Sequence, residues 1–380
     1  MRKRKLEQHD ADSEEEPRKR EKGTKSLSTT ELRHLLDLSA LDTTSEIHGR
    51  FDEIAEALLN AFHMIIHTKD GAEVVYRIME LEFYLWKNGH HEDPFTHGSE
   101  EQRLSGRWYF HRAPRKSADS SRSLTSLTGY RGGTRKGLDL TFGGRLATTI
   151  NSPYFSQPDS QANQTDTSNN HGGILLRSIR RICDDTVISG PSLLVDEVLK
   201  QSGSTNIADV VENCWKGNIS AFKEESDGER MFFKPIPAPE QEQSVTKIYR
   251  SPRIGLDLSH PGTLPEPSHP RVAFLSRGYR YFVQPDRLTV NGRPQTFLGV
   301  LKYAAPLSGG GPRCLSRKRM TELTGITEQS VNNYLGYYLN GYDKGSLKNF
   351  VGPAGKGAGG SPSSYLQMIG TVTKTRNEDV

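Results

Sequence analysis

The chain has few cysteines, few apolar residues and no long hydrophobic run. Its three cysteines, Cys183, Cys214 and Cys314, are odd in number and far apart, which argues against a disulfide framework and against a zinc site of the CxxC type. No segment approaches the roughly 20 consecutive apolar residues that a membrane span requires. The basic start, "MRKRKLEQHD", is not followed by the apolar stretch of a secretory signal. We therefore expect a protein of a reducing compartment with no membrane partner.

The common nucleotide-binding motifs are also missing. No GxGxxG or Walker A motif stands between a predicted strand and a predicted helix. The segment "YRGGTRKG", from Tyr130 to Gly137, is glycine-rich and basic but lacks the spacing of a P-loop. Its backbone amides, with Arg131, Arg135 and Lys136, either bind a phosphate or belong to an exposed loop.

Polar segments account for much of the low hydropathy. Hydrophobic residues make up 33% of the chain and the mean hydropathy is −0.66, which is typical of a globular core with disordered additions. The sequence predicts a disordered tail over residues 1–30, a polar insertion over 151–170 and a low-complexity tail over 344–380, which contains "GPAGKGAGGSPSS". The net charge of +4 is too small to indicate nucleic-acid binding by itself, although basic residues are locally concentrated.

Two basic clusters lie in the first of these segments. "RKRK" at Arg2–Lys5 and "PRKREK" at Pro17–Lys22 are separated by a short polar spacer. This arrangement is typical of a bipartite nuclear-localisation signal, and the alternative is a solvated charged tail. The signal predicts that the protein works in the nucleus.

Helical and strand periodicities both occur within residues 45–305. Apolar residues three and four apart between Ser45 and Ile66 predict an amphipathic helix. "MIIHTKDGAEVVYRIMELEFYL" predicts two strands joined by a hairpin turn. "GGILLRSIRRI", "RIGLDLS" and "YRYFVQP" predict later strands, and "SGPSLLVDEVLKQ" predicts a helix with Pro191 in its first turn. We expect these elements to form one α+β domain.

The second strand of the hairpin has two acids in an apolar setting. Because side chains alternate along a strand, Glu80, Glu82 and Tyr84 point away from its most apolar face. A carboxyl group on a rigid strand beside an aromatic ring can take a proton from water, so Glu82 is a candidate general base. The alternative is that Glu82 only forms an ion pair with Arg177 or Arg107.

A loop rich in histidine follows this strand. His90, His91, Asp93 and His97, together with Glu82, have the donor atoms that zinc, iron or manganese accept. Their spacing matches no strong metal motif such as HExxH, and hydrogen bonding within a loop is the more common role of a histidine. We therefore expect no metal and no cofactor.

Residues 315–343 form a separate helical unit. "LSRKRMTELTGITEQSVNNYLGYYLNGY" predicts a helix, a turn at Gly325 and a second helix with Thr327 as its N-cap. This order is typical of a helix-turn-helix. The unit either contacts DNA or is a helical hairpin that caps the core.

The succession of these pieces resembles the alkyladenine (3-methyladenine, or methylpurine) DNA glycosylase family. The resemblance spans roughly residues 51–285, and "ELEFYL" and "GGILLRSI…SGPSLL" carry it best. It implies a single mixed domain with a curved, largely antiparallel sheet and packed helices. It also implies base excision repair by a monofunctional enzyme that hydrolyses the N-glycosidic bond of damaged or alkylated purines in double-stranded DNA. We expect this enzyme to be a monomer and, from its basic clusters, to work in the nucleus.

The same resemblance assigns roles to four residues. Glu82 matches the glutamate that activates the attacking water, and Arg177 matches the arginine that positions the water and the backbone. Tyr84 matches the tyrosine that stacks on the flipped base, and His97 matches the histidine that packs on the base. These roles fit the chemistry, because a carboxylate stabilises an oxocarbenium-like state and a base must leave the helical stack to be attacked.

The chain departs from this family in the hairpin that wedges into DNA. The family has a tyrosine-rich hairpin, whereas this chain has "GYRGGTRKGLDLTFGG", in which Tyr130 is the candidate wedge and Arg131, Arg135 and Lys136 are candidate DNA contacts. Asp139 is also unexpected there. The alternative function is a glycosylase-like scaffold that binds a nucleic acid or a small ligand without excision, or a hydrolase that uses the His and Asp loop.

Overall fold

The computed structural model describes residues 27–112, 129–147, 170–223, 230–237, 245–288, 291–307 and 312–378. The basic clusters before residue 27 and the polar insertion up to residue 169 lie outside these ranges. No helix in the described ranges is long and apolar enough to cross a membrane.

The described residues form α-helices and β-strands that alternate irregularly along the chain. The helices are α1 (Thr29–Leu35), α2 (Thr44–Glu56), α3 (Pro191–Gln201), α4 (Ile207–Asp209), α5 (Pro270–Leu275), α6 (Arg293–Leu307), α7 (Arg317–Thr324), α8 (Glu328–Lys344) and α9 (Pro362–Glu378). The strands are β1 (Phe62–His67), β2 (Glu73–Lys87), β3 (His91–Glu92), β4 (Trp108–Phe110), β5 (Leu138–Thr141), β6 (His171–Arg181), β7 (Val187–Ser189), β8 (Met231–Pro235), β9 (Tyr249–Ser251) and β10 (Arg280–Phe282).

All these strands join one sheet in which the pairings between named strands are antiparallel. The main order is β4-β5-β6-β2-β1-β8, and β10 pairs with both β2 and β9. The long strand β2 lies at the centre: its first half pairs with β1 and β6, and its second half pairs with β6 and β10. The predicted α+β class with a largely antiparallel sheet is therefore confirmed.

The pairing of β2 with β6 shifts register beside the two acids. Ile78 pairs with Ile179 and Glu80 with Ser178, so Met79 is an extra residue on β2, and a second shift follows between Glu80 and Leu81. Such bulges bend a strand and redirect its side chains, and they are common next to active sites. Here the second shift leaves Arg177 of β6 without a directly opposed residue on β2, because its neighbours Ser178 and Leu176 pair with Glu80 and Leu81.

Two hydrophobic clusters cover the two faces of β2. On one face, Leu81 and Phe83 are fully buried, and the ring of Phe51 from α2 stacks on Phe83 at 4.5 Å. On the other face, Phe282 belongs to a second cluster with Phe297 from α6. Glu80 and Glu82 therefore lie between the sheet and a layer of C-terminal helices.

The first long helix is shorter than the sequence predicts. A capping box between Thr43 and Glu46 starts α2, and the helix ends in a π-turn at residues 57–61. Phe62 and Ile65, which fit the helical period, belong to β1 instead. This strand is buried at nearly every position, and periodicity cannot distinguish such a continuous buried run from a helix segment. "RIGLDLS" is also not a strand, since β9 ends at Ser251 just before it.

The predicted low-complexity tail contains an ordered helix. Helix α9 packs along α8, and Tyr365, Leu366 and Met368 are almost completely buried. The segment "GPAGKGAGGSPSS" forms two 3-10 turns, at Gly352–Gly355 and Ala358–Gly360, and the start of α9. Gly341 on α8 and Gly370 on α9 let the two helix backbones approach closely: a Cβ at either position would overlap a backbone carbonyl of the other helix.

This contact predicts opposite effects for two glycines of the same helix. Gly341→Ala should lower the free energy of unfolding by about 1–3 kcal/mol or more, because its methyl group overlaps Gln367. Gly336→Ala should leave it unchanged or raise it by up to about 1 kcal/mol, since nothing lies within 4 Å of its Cβ position and alanine favours a helix. Urea unfolding of both variants checks this, and equal stabilities would contradict the packing of α9 on α8.

Candidate active site around Glu82

One face of the sheet brings together residues from six strands, and five of these residues are polar. Residues paired directly across antiparallel strands point to the same face. The row that contains Glu82 consists of Tyr109, Asp139, Leu175, Glu82, Arg280 and Ser251. Because β5 and β2 are separated by β6, the Cα atoms of Asp139 and Glu82 are about 10 Å apart.

Glu82 is fully buried, and both of its carboxylate oxygens accept hydrogen bonds. Oε1 accepts from the backbone N–H of Ile254 at 2.8 Å. Oε2 accepts from the hydroxyl of Tyr84 at 2.9 Å and from a guanidinium nitrogen of Arg177 at 3.4 Å. Two of these contacts come from β2 and β6, and the third comes from the loop after β9. The carboxylate is thus fixed in one orientation.

Glu80 is paired more tightly than Glu82. It accepts hydrogen bonds from Arg177 at 3.1 Å, from Arg280 at 2.6 Å and from the hydroxyl of Ser178 at 2.5 Å. Burial raises the pKa of the Glu80 carboxyl, but the charges of Arg280 and Arg177 outweigh burial, and the pKa is lowered. Glu80 is therefore ion-paired with two arginines, and it has the surroundings of a structural residue.

Tyr84 lies beside Glu82 and is partly exposed. The guanidinium of Arg253 lies over its ring at 4.4 Å, and Arg253 is itself held by Asp93 at 2.5 and 3.1 Å. Burial, followed by the negative charge of Glu82, raises the pKa of the Tyr84 hydroxyl. The hydroxyl therefore stays protonated and can donate to Glu82.

A second buried carboxylate, that of Asp139, lies on the same face. It accepts hydrogen bonds from His111 at 2.8 Å and from Gln102 at 3.3 Å. Gly173 lies below it, and a Cβ there would overlap the Asp139 carboxylate. Burial opposes protonation of His111, but the charge of Asp139 outweighs burial, and the pKa of His111 is raised. Gly173 is also the strand partner of Tyr84, so Tyr84 and Asp139 flank a strand position without a side chain.

His97 is exposed at the edge of this region. Its electrostatic neighbours include Arg131, His111 and Asp139, which places it on the Asp139 side. Desolvation, followed by the charge of Arg131, lowers the pKa of His97. The structure therefore brings His97 and Arg131 together near the second carboxylate.

Of the remaining candidate DNA contacts, Tyr130 and Lys136 contact neighbouring side chains, whereas Arg135 is exposed. Tyr130 packs edge-on against Phe110, and the guanidinium of Arg112 lies over its ring at 4.2 Å, so in this conformation it does not protrude as a wedge. Lys136 forms an ion pair with Asp196. Arg135 is exposed, and it has no ion-pair partner among the described residues.

The histidine loop does not assemble a metal site. Asp93 pairs with Arg253, His90 contacts the backbone oxygen of Asp42 at 2.7 Å, and His91 contacts the backbone oxygen of Leu85 at 2.9 Å. Within the described ranges, no group of three or more potential ligands lies close enough to hold an ion. His90, His91 and Asp93 therefore serve as structural hydrogen-bonding groups.

A polar cluster lies behind Arg253. The hydroxyl of Tyr279 contacts His48 at 2.6 Å, His91 at 2.7 Å and Arg277 at 3.2 Å. Burial is the main cause that lowers the pKa of both histidines to about 4. Both imidazoles are therefore neutral in the folded protein at neutral pH.

Comparison with known proteins gives a relative but no activity. No protein-family model matches the chain. An uncharacterized protein of Acanthamoeba polyphaga mimivirus is 30% identical over 206 residues, which are 54% of this chain and 78% of the viral protein. The chain belongs to the family of that viral protein. The viral member of this family is uncharacterized, so the arrangement of side chains around Glu82 is the basis for a proposed function.

Sequence reasoning missed several members of the site. Arg280 and Arg253 come from segments distant in sequence, and both are almost completely buried; nothing in the local sequence of Arg253 indicates this. His111 and Gln102 acquire their roles only through Asp139. An arginine between alternating apolar residues, as in "YRYFVQP", is the one local signal of a buried charge.

The buried histidines predict a pH dependence of stability. The folded pKa of His91, about 4, lies below its ordinary value of 6.5. The unfolded chain therefore binds more protons between these values, so stability is complete above about pH 6.5 and falls as the pH drops towards 4. The free energy of unfolding, measured from pH 7.5 to 5, should decrease, and it should decrease less steeply in His91→Gln. Equal slopes for both proteins would contradict this assignment.

Proposed function

We propose that the protein is an N-glycoside hydrolase that acts on a purine base flipped out of DNA, with Glu82 as the general base. The observation that carries this proposal is the fixed Glu82 carboxylate, bound by a backbone N–H and by Arg177 beside the partly exposed Tyr84 ring. This combination supplies a proton acceptor and an aromatic surface within two residues of one strand.

In the proposed reaction a water occupies the acceptor position of Glu82 that its protein partners leave unused. A carboxylate offers about four acceptor positions, and three are used here. In the proposed step the water oxygen bonds to the anomeric carbon of the sugar while the bond from that carbon to the base nitrogen breaks. Glu82 takes the proton of the water, and the electron pair of the broken bond leaves with the base.

Tyr84 provides a surface for the flipped base. Arg253 covers one face of its ring, so the proposal has the base stack on the other face. Such stacking offsets part of the cost of removing a base from the duplex, which is a few kcal/mol. Tyr84 also holds Glu82 by its hydroxyl. Its position couples base binding to the orientation of the general base.

Asp139 and His111 provide a second proton-transfer site. Asp139 lies two strands from Glu82 on the same face of the sheet, and His111, which follows β4, contacts it at 2.8 Å. A protonated His111, stabilised by Asp139, can donate a proton to the leaving base, which makes the base a better leaving group. Asp139 itself can accept hydrogen bonds from amino groups of a purine.

A second function, binding without excision, is favoured by one observation. Glu82 has no exposed surface and is ion-paired with Arg177 at 3.4 Å, as expected for a carboxylate with a structural role. In that case the same face would bind a flipped base or another ligand, and no bond would be broken.

The Glu82 assignment predicts the outcome of a single-turnover assay. Purified protein is incubated with duplex oligonucleotides that each contain one hypoxanthine, ethenoadenine or alkylated purine, and abasic sites are measured. Glu82→Gln should slow base release by about 100-fold to 10,000-fold, because the amide cannot accept the proton of the water. Binding to the same duplexes should be retained.

Glu197→Gln is the matched control for this assay. Glu197 is also buried and ion-paired, with Arg181 at 2.5 Å, but it lies on α3. Its substitution should leave the rate of base release unchanged. Binding of a lesion duplex without base release by the wild-type protein would reject hydrolysis and favour the binding function.

The Asp139 assignment predicts a shift of the pH profile. Asp139→Asn removes the charge that raises the pKa of His111, so His111 should lose its proton at a lower pH. If His111 donates the proton to the base, the alkaline limb of the pH–rate profile should move to lower pH. A profile identical to that of the wild-type protein would exclude the His111–Asp139 pair from proton transfer.

A further inference from the structure

A second surface, remote in sequence from Glu82, has the features of a duplex-reading site. Helices α6, α7 and α8 pack against one another. Phe297, Met320, Val331 and Leu335 belong to their shared hydrophobic core, and the ring of Phe297 meets that of Tyr334 edge-on at 5.6 Å. This core fixes the orientation of α8 relative to α7.

The connection between α7 and α8 is short and well defined. Gly325 ends α7 in the left-handed conformation, with φ 66°. The hydroxyl of Thr324 accepts a hydrogen bond from the N–H of Ile326 at 3.2 Å, and Thr327 caps α8 through the N–H of Ser330. A tight turn with a glycine between two helices is typical of the helix-turn-helix.

The exposed face of α8 is lined by amides. Val331 and Leu335 face the core, and residues on the opposite side of the helix recur at intervals of three or four. These exposed residues are Gln329, Asn332, Asn333, Gly336 and Asn340. Nothing lies within 4 Å of the Cβ position of Gly336, so another molecule can approach the helix backbone closely there.

The neighbouring helix α7 supplies positive charge. Arg317 and Lys318 lie in its first turn, and Arg317 donates to the side-chain oxygen of Asn332 at 3.3 Å. The described contacts of Arg317 are with neutral atoms, and Lys318 has no ion-pair partner within the described ranges. These two cations therefore flank the amide face.

The charge and the side-chain chemistry of the surface formed by α7 and α8 both favour duplex DNA as its partner. The large exposed apolar side chains of the described ranges lie outside α7 and α8, whereas the centre of a protein interface is usually apolar. Amide side chains both donate and accept, which matches the N6 and N7 edge of adenine in the major groove, and an α-helix fits that groove. The adjacent cations match the phosphate backbone.

We propose that α8 is a recognition helix that reads duplex DNA through the major groove, with Asn332 and Asn333 at its centre and Arg317 and Lys318 on phosphates. This site is separate from the Glu82 face and does not depend on base excision. It gives the protein a preference for sequence context, independent of any lesion.

The test first identifies the DNA sequence that the protein prefers and then removes the side-chain amides of Asn332 and Asn333. Undamaged 20-base-pair duplexes of random sequence are enriched over the purified full chain. Dissociation constants are then measured for the enriched duplex and for a scrambled duplex of the same composition. We expect enrichment of adenine-containing sites, and we expect Asn332→Ala/Asn333→Ala to lower the discrimination between the two duplexes by about tenfold or more.

Two further variants distinguish base-specific recognition from non-specific electrostatic binding to DNA. Lys318→Ala should weaken binding to both duplexes equally and make binding less sensitive to salt. Asn213→Ala, at an exposed asparagine outside the helical unit, should change nothing. Gln329→Ala gives a second test at the exposed start of α8 if the double variant does not fold.

The proposal is overturned if no sequence is enriched, or if the amide variants discriminate as well as the wild-type protein. Equal competition by duplex RNA of the same sequence would overturn it as well, because the deep major groove of RNA cannot be read by side chains. None of these outcomes depends on base release.

Discussion

The buried charges at the centre of the sheet are the constraint on which the rest of the structure depends. Glu80, Glu82, Arg177 and Arg280 lie within one connected set of contacts, with exposures of 3%, 0%, 8% and 0%. Removing one member leaves an uncompensated charge, which typically costs about 3–5 kcal/mol. The acids of β2 therefore require β6 and β10 in one register, and that register positions Tyr84.

This network also explains the role of the C-terminal half. Arg280 makes hydrogen bonds to Ser251 at 3.0 Å and to Thr296 on α6 at 3.0 Å, and the loop after β9 donates the Ile254 N–H to Glu82. The layer formed by α6 and α9 excludes water from these contacts. Low local polarity strengthens the ion pairs that are made and raises the cost of any that are not.

The C-terminal helices form two pairs. Helices α6 and α9 cover the charged face of the sheet, and α7 and α8, which pack on them, carry the exposed cations and amides. The proposed excision and the proposed duplex reading therefore share one structural element without sharing a residue. A protein that must find a base within long DNA benefits from such a division, because sequence-independent phosphate contacts and base-edge contacts serve different purposes.

The sequence by itself determined several of the elements and many of the chemical groups. Alternation along "MELEFYL" separated Glu82 and Tyr84 from the apolar face, and capping and turn residues located the helices around Gly325, because these signals depend on a few neighbouring residues. Only the tertiary structure decided which charges meet. Arg253 pairs with Asp93 across 160 residues of sequence, and Arg280 pairs with Glu80 across 200. Tyr130 packs against Phe110, and α9 is a packed helix. Such contacts depend on strand register and helix packing, which local periodicity does not encode.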